Sequence, residues 1–253
     1  MKEDYRSACL LYAKLPAFEY KVKRARATIR KAVELQDIRW YIAFSGGKDS
    51  QVVLDMVLHD SPSIAIMWGD DGWDYPETLT FLADVESRRG VRIERVKNRG
   101  NIAGFAAWAG RDWQGENPGP WDYECTSFDD HSRLIHKLGF DGVFLGLRKE
   151  ESVRRFFSLV RFGPLHWTKG EQIWHCSPLH DWTTMDVWAY ILSHKLEYNP
   201  VYDKLSDLGI KPEYQRVGPL ISWGEDCYAT LKRGWPDLFN HFAAEFPEMR
   251  CYV

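Results

Sequence analysis

The chain has 253 residues, 45% hydrophobic and 27% charged, which is close to globular averages and ample for a core. No run of about 18 apolar residues occurs, which excludes a membrane-spanning helix, and the composition excludes disorder and a fibrous fold. Lys+Arg 33 against Asp+Glu 36 gives a net charge of −3, so no global basic field marks a nucleic-acid partner.

Residues 17–36 combine good helix formers with several basic residues and predict a helix. The apolar and aromatic run at 39–45 predicts a buried strand ending in a turn at Gly46-Gly47. Residues 49–58 place Val52, Val53, Met56 and Val57 on one helical face, and 63–70 form a second strand. A helix over 75–89 opens with Pro76 in its first turn, and 91–97 form a third strand. Strands alternating with helices predict a doubly wound, mainly parallel α/β sheet of five strands with a helical C-terminal region.

Residues 99–124 break this rhythm with Gly, Pro and three tryptophans (Trp108, Trp113, Trp121), and are expected to form a long loop or lid. A helix at 126–138 and a strand at 142–148 resume the pattern, and the sheet is expected to end there. Beyond it, Thr183 or Thr184 caps a helix with Asp186 in its first turn and Pro200 as a stop, and a last helix covers 236–245. The expected organisation is an N-terminal helical segment at 1–37, a nucleotide-binding α/β domain at 38–165 and a mostly helical region at 166–253.

Five cysteines (Cys9, Cys125, Cys176, Cys227, Cys251) are an odd number, far apart and without a CxxC pair. Neither a disulfide framework nor a zinc ribbon is indicated, and a reducing compartment is expected. The N-terminus has too few consecutive apolar residues for a signal peptide, so the protein is read as cytoplasmic.

The most specific chemistry is Ser45-Gly46-Gly47-Lys48-Asp49-Ser50, between a predicted strand and a predicted helix. Two glycines allow a tight turn that presents N–H groups, the helix offers its positive end, and Lys48, Ser45 and Ser50 add donors. Such a nest binds phosphate. It is not a Walker A loop, which would need Gly at Ile42 and Ser or Thr at Asp49. The alternative is a plain strand-to-helix turn with a surface lysine.

This loop resembles the PP-motif of the N-type ATP pyrophosphatases, the adenine nucleotide alpha hydrolase group. Three further segments, in order, are similar to its PAPS reductase (phosphoadenosine-phosphosulfate reductase) branch. They are residues 68–78, containing Asp70-Asp71-Gly72 and Pro76-Glu77-Thr78; residues 146–155, from Gly146-Leu147-Arg148 to Arg154-Arg155; and the run from Ser177-Pro178-Leu179-His180-Asp181-Trp182 through Asp186-Val187-Trp188 to residues 198–203. The resemblance spans residues 38–220. PAPS reductases proper usually lack the loop lysine and carry a tail E-C-G-x-H motif, whereas this chain keeps Lys48 and ends in Met249-Arg250-Cys251-Tyr252-Val253. The cysteine pattern of iron–sulfur relatives is absent, so no cluster is expected.

The intact loop with its lysine fits cleavage of ATP between the α and β phosphates, with AMP passed to a second substrate and pyrophosphate released, in sulfur metabolism or nucleic-acid modification. The nucleotide set is Ser45, Gly46, Gly47, Lys48, Asp49, Ser50, Asp70, Asp71, Gly146, Arg148 and Arg155, with Lys48, Arg148 and Arg154 as catalytic cations. A solvated basic patch is the alternative for Arg154-Arg155. Asp49 and Asp70, at strand ends without an obvious basic partner in sequence, are assigned to magnesium, with a helix cap as the alternative for Asp49. Asp71, Trp73 and Glu77 are placed at the adenosine or second-substrate pocket, with packing as the alternative for Trp73. Cys125 is either a persulfide carrier or inert, while Trp182, Trp188 and Trp235 read as core. A sulfonucleotide reductase using Cys251 or Cys125 is the rival activity, and a non-catalytic nucleotide-binding protein the rival outside catalysis. A sulfur compound or a nucleic acid stays open as second substrate, and a homodimer stays open.

Overall fold

The computed structural model describes residues 1–70, 72, 74–97, 135–219, 225–245 and 247–253. β1 (Trp40–Ala43), β2 (Ala65–Asp70), β3 (Ile93–Lys97) and β4 (Gly142–Phe144) pair in parallel, with Tyr41 between Ala65 and Val143. β1 and β4, in the middle of the sheet, are short and apolar because a strand covered on both faces has no side to leave in water, whereas the edge strand β3 exposes Glu94 and Arg95. β5 (Leu165–Thr168) and β6 (Ile173–Cys176) form an antiparallel hairpin, and β6 runs parallel to β4.

The order is β3-β2-β1-β4-β6-β5, a six-stranded sheet that is one strand larger than expected. It continues past residue 148, where the sequence predicts its end, and past the boundary expected at 165. At four residues each, with histidines among the aromatics, β5 and β6 show no alternation a sequence pattern detects.

The N-terminal segment holds two helices where one is predicted, α1 (Glu3–Tyr12) and α2 (Pro16–Val33), because Pro16 starts a new helix. α3 (Lys48–Asp60) follows β1, and α4 (Pro76–Arg89) follows β2. After β4 a single 3₁₀ turn, Lys149–Glu151, leads into α5 (Val153–Phe162). α6 (Thr184–Ser193) starts where the sequence predicts. The Asp186 N–H donates to Thr183 Oγ1 at 3.3 Å, and the Thr183 N–H to Asp186 Oδ2 at 2.6 Å, a reciprocal cap. α7 (Val201–Asp207), α8 (Glu225–Gly234) and α9 (Pro236–Glu245) follow.

Alternation along the strands separates two cores. Ile42, Phe44, Ile66 and Phe144 pack with Val52, Val53 and Met56 of α3 and Trp188 of α6, all buried. Tyr41, Met67, Val143 and Ile173 form the opposite face. A third cluster joins Tyr75 to Val201, Leu205, Leu231 and Trp235, seating the C-terminal helices at the end of the sheet where α4 begins. Trp182, Trp188 and Trp235 are core residues, as expected. Among the described residues no helix is long and apolar enough to cross a membrane. The expected lid at 99–124 with Trp108, Trp113 and Trp121, most of the helix at 126–138, and Asp71, Trp73 and Cys125 lie outside the described residues.

Candidate functional site

The loop joining β1 to α3 is folded by its own hydroxyls. The Ser45 N–H donates to Ser50 Oγ at 3.2 Å, the Gly47 N–H to Ser45 Oγ at 3.3 Å, and the Ser50 hydroxyl to the Gly47 carbonyl at 3.0 Å. Gly46 has φ +71°, a left-handed conformation that favours glycine. Gly47 at the N-cap has no side chain to bond back to α3, so beyond the Lys48 N–H the first turn is not spent on a cap, and the positive end of the helix faces the loop.

Segments distant in the chain hold this turn in place. Asn199 Nδ2 donates to the Gly46 carbonyl at 3.3 Å and to Thr78 Oγ1 at 2.9 Å. Tyr202 Oη accepts from the Lys48 N–H at 2.8 Å. Gly146 lets the strand-end turn approach α3, because a Cβ there would stand 2.9 Å from the Ser50 backbone nitrogen. Asn199 and Tyr202 belong to a motif that the sequence singles out without giving either residue a role.

The charges form one buried array. Lys48 is 1% exposed, with Nζ 3.1 Å from Asp49 Oδ2 and 5.5 Å from the centre of the Tyr202 ring. Burial pushes its pKa down, and Asp49 opposes that only in part. Burial also pushes the Asp49 carboxyl up, but Lys48 and Arg148 together hold it below the ordinary carboxylate value. Arg148, also 1% exposed, gives Nε to Asp49 Oδ1 at 2.5 Å, Nη1 to Glu150 Oε2 at 3.2 Å and Nη2 to Thr184 Oγ1 at 3.5 Å.

This array corrects two sequence expectations. Asp49 has two basic partners, one of them 99 residues away, so its carboxylate is occupied and does not fit a metal ligand. Asp70 Oδ1 accepts from the Gly72 N–H at 3.1 Å at the end of β2. Arg148 lies beneath the loop, with its guanidinium engaged by the protein, rather than open to a phosphate.

Arg154 and Arg155 are exposed on the first turn of α5. Arg155 Nη1 stands 2.9 Å from Glu151 Oε2, and both arginines line a cavity of about 500 Å³ with Ser152, Ser158, Leu145 and Ala43 on the second face of the sheet. Glu77 is occupied by Lys204 Nζ at 3.1 Å and Trp235 Nε1 at 2.8 Å, so it braces the C-terminal helices instead of lining an open pocket. Arg216 is the cation that sequence reasoning missed: it is near enough to Lys48 to bias its titration, and no motif signals it. Among the described residues no three His, Cys, Asp or Glu side chains group as metal ligands.

The family model for the phosphoadenosine phosphosulfate reductase domain matches residues 39–225. An uncharacterised protein of Methanocaldococcus jannaschii is 30% identical over 209 residues, covering 79% of this chain but only 39% of that protein. The phosphoadenosine 5'-phosphosulfate reductase of Xanthomonas axonopodis pv. citri is 28% identical over 193 residues, 75% of this chain and 78% of the relative. Two solved structures share the fold. Candida auris PAPS reductase in complex with phosphate has a TM-score of 0.56 at 20% identity, covering 86% of this chain and 95% of that one. Candida glabrata FMN adenylyltransferase in complex with ATP has a TM-score of 0.54 at 12% identity, covering 79% and 67%.

Proposed function

Because the chain belongs to the phosphoadenosine phosphosulfate reductase domain family, a family of nucleotide enzymes, we propose that residues 45–50 hold the phosphates of ATP for adenylyl transfer. The observation that carries this reading is the uncapped start of α3 behind a glycine turn, with Lys48 buried beside it. An incoming phosphate meets the first-turn N–H groups and competes with Asp49 for the Lys48 ammonium, whose charged form burial disfavours. Arg148 holds Asp49 and thereby sets the position of Lys48, while Arg154, exposed on α5, is proposed as a further cation for the nucleotide.

An oxyanion of the second substrate attacks the α-phosphorus. The bond to the bridging oxygen breaks, and pyrophosphate leaves with the electron pair. The protein's part is to position the two anions and spread the charge.

A second reading, thiol-dependent reduction of a sulfonucleotide, is favoured by the name of the Xanthomonas relative and by the exposure of Cys251 near the C-terminus. One experiment separates the two: ATP, PAPS and adenosine phosphosulfate offered side by side, with pyrophosphate and sulfite measured. ATP-dependent pyrophosphate release supports adenylyl transfer. Sulfite from PAPS with a thiol donor, lost in Cys251→Ser, replaces it with the reductase.

A further inference from the structure

A second cavity, of about 420 Å³, opens between the loop after α7 and the helix α8, within the size range of small-molecule sites. Its relation to the phosphate loop is direct. Arg216 and Gly218 line the cavity, and Val217 between them faces the other way, its Cγ2 at 3.4 Å from where a Cβ on Gly47 would stand. One three-residue segment is therefore the wall between the two spaces.

The charged side chains that line the cavity among the described residues are both cations, Lys211 and Arg216. Tyr75 is buried and held against the Trp235 ring at 4.2 Å, which makes it a fixed aromatic wall, and Ile210 adds apolar surface. Gln215, 1% exposed, anchors the bearing loop by donating to Ser206 Oγ at 2.8 Å and the Ile210 carbonyl at 2.9 Å. Arg216 is oriented through Nη1, which donates to the carbonyls of Glu213 at 2.8 Å and Gln215 at 2.9 Å. Lys211 supplies a second cation and the exposed Tyr214 a ring, and among the described residues no carboxylate lines the cavity.

We infer that this cavity is the binding site of the second substrate, and that this substrate is a small organic anion with an aromatic or apolar body. The cations match an oxyanion, the tyrosines and aliphatic side chains match the body, and the volume suits a small molecule rather than a stretch of polynucleotide. An anion brought next to triphosphate is repelled, and Arg216, placed between the two spaces, offsets that repulsion. The inference rests on the reading that ATP occupies residues 45–50.

Cys227 also lines the cavity and serves as a reporter, while the exposed Cys251 serves as the reference. The full chain is treated with dithiobis(nitrobenzoate), an aromatic dicarboxylate, and separately with the uncharged dithiodipyridine. Labelling at each cysteine is followed by peptide mass spectrometry, and the anionic-to-neutral rate ratio is compared between the two thiols. The ratio at Cys227 is expected to exceed that at Cys251 by about tenfold, the scale on which a lined cleft concentrates a charged reagent. Arg216→Gln removes the excess, and Lys211→Gln, on an exposed side chain, lowers it. Equal ratios at the two cysteines, or an excess surviving both substitutions, overturn the proposal. Lys48→Ala keeps the two readings apart: it weakens ATP binding about tenfold and leaves the Cys227 preference intact. A preference for the anionic reagent in a chain that never binds ATP sinks the nucleotide reading and not the anion site.

Discussion

Arg148 and Asp49 meet beneath the phosphate loop, Nε to Oδ1 at 2.5 Å, and this contact ties the end of β4 to the first turn of α3. Lys48 closes the array on the other side of the same carboxylate at 3.1 Å. Asp49 thus faces two cations that are each 1% exposed, and Glu150 shares the compensation of Arg148 at 3.2 Å.

Asp49→Asn is therefore expected to be costly, since it leaves the buried Lys48 without its carboxylate and Arg148 with Glu150 alone. The loss is on the order of 3–5 kcal/mol, the usual consequence of removing one partner from a buried charge pair. Urea denaturation measures it. A midpoint within error of the parent means the array is not integral to the fold.

Lys48→Ala is expected to weaken ATP binding about tenfold, near 1.4 kcal/mol, through loss of a charge-assisted phosphate contact. Titration calorimetry reads the change. An unaltered affinity in a folded variant removes Lys48 from the phosphate site.

Gly146→Ala drives a Cβ to 2.9 Å from the Ser50 backbone nitrogen, so the start of α3 has to shift. About 1–3 kcal/mol of stability should be lost through overpacking, with a fall in nucleotide affinity because the helix donors move with it. Crystallography of the variant, or its ATP affinity, tests the coupling. Lost stability with affinity retained separates packing from binding.

Acid should loosen the α6 cap before it loosens the apolar core. Burial pushes the Asp186 carboxyl up, but Lys21 Nζ at 2.6 Å and the Thr183 donors hold it below its ordinary value. A carboxyl depressed in the folded state contributes stability above its unfolded pKa of about 3.9, and that contribution is lost as pH falls through the folded value. Asp186→Asn should accordingly show a shallower decline in stability below about pH 4 than the parent. Parallel curves for the two proteins refute the assignment.

The glycine turn, its lysine and the helix that follows were legible in the sequence, because strand, turn and helix signals lie within one short stretch and the chemistry of residues 45–50 is local. The cap of α6 was legible for the same reason: Thr183 and Asp186 are three residues apart. The positioning of the loop was not. The contacts of Arg148 with Asp49, Asn199 with Gly46 and Tyr202 with Lys48 bridge 99, 153 and 154 residues. Sequence placed Arg148 in an open phosphate site and Asp49 on a metal because each looked unpartnered along the chain. Tertiary structure decided otherwise. Parallel pairing of β1 with β4 brings the strand ends together, and once both groups are buried there, each is the charge that the other requires.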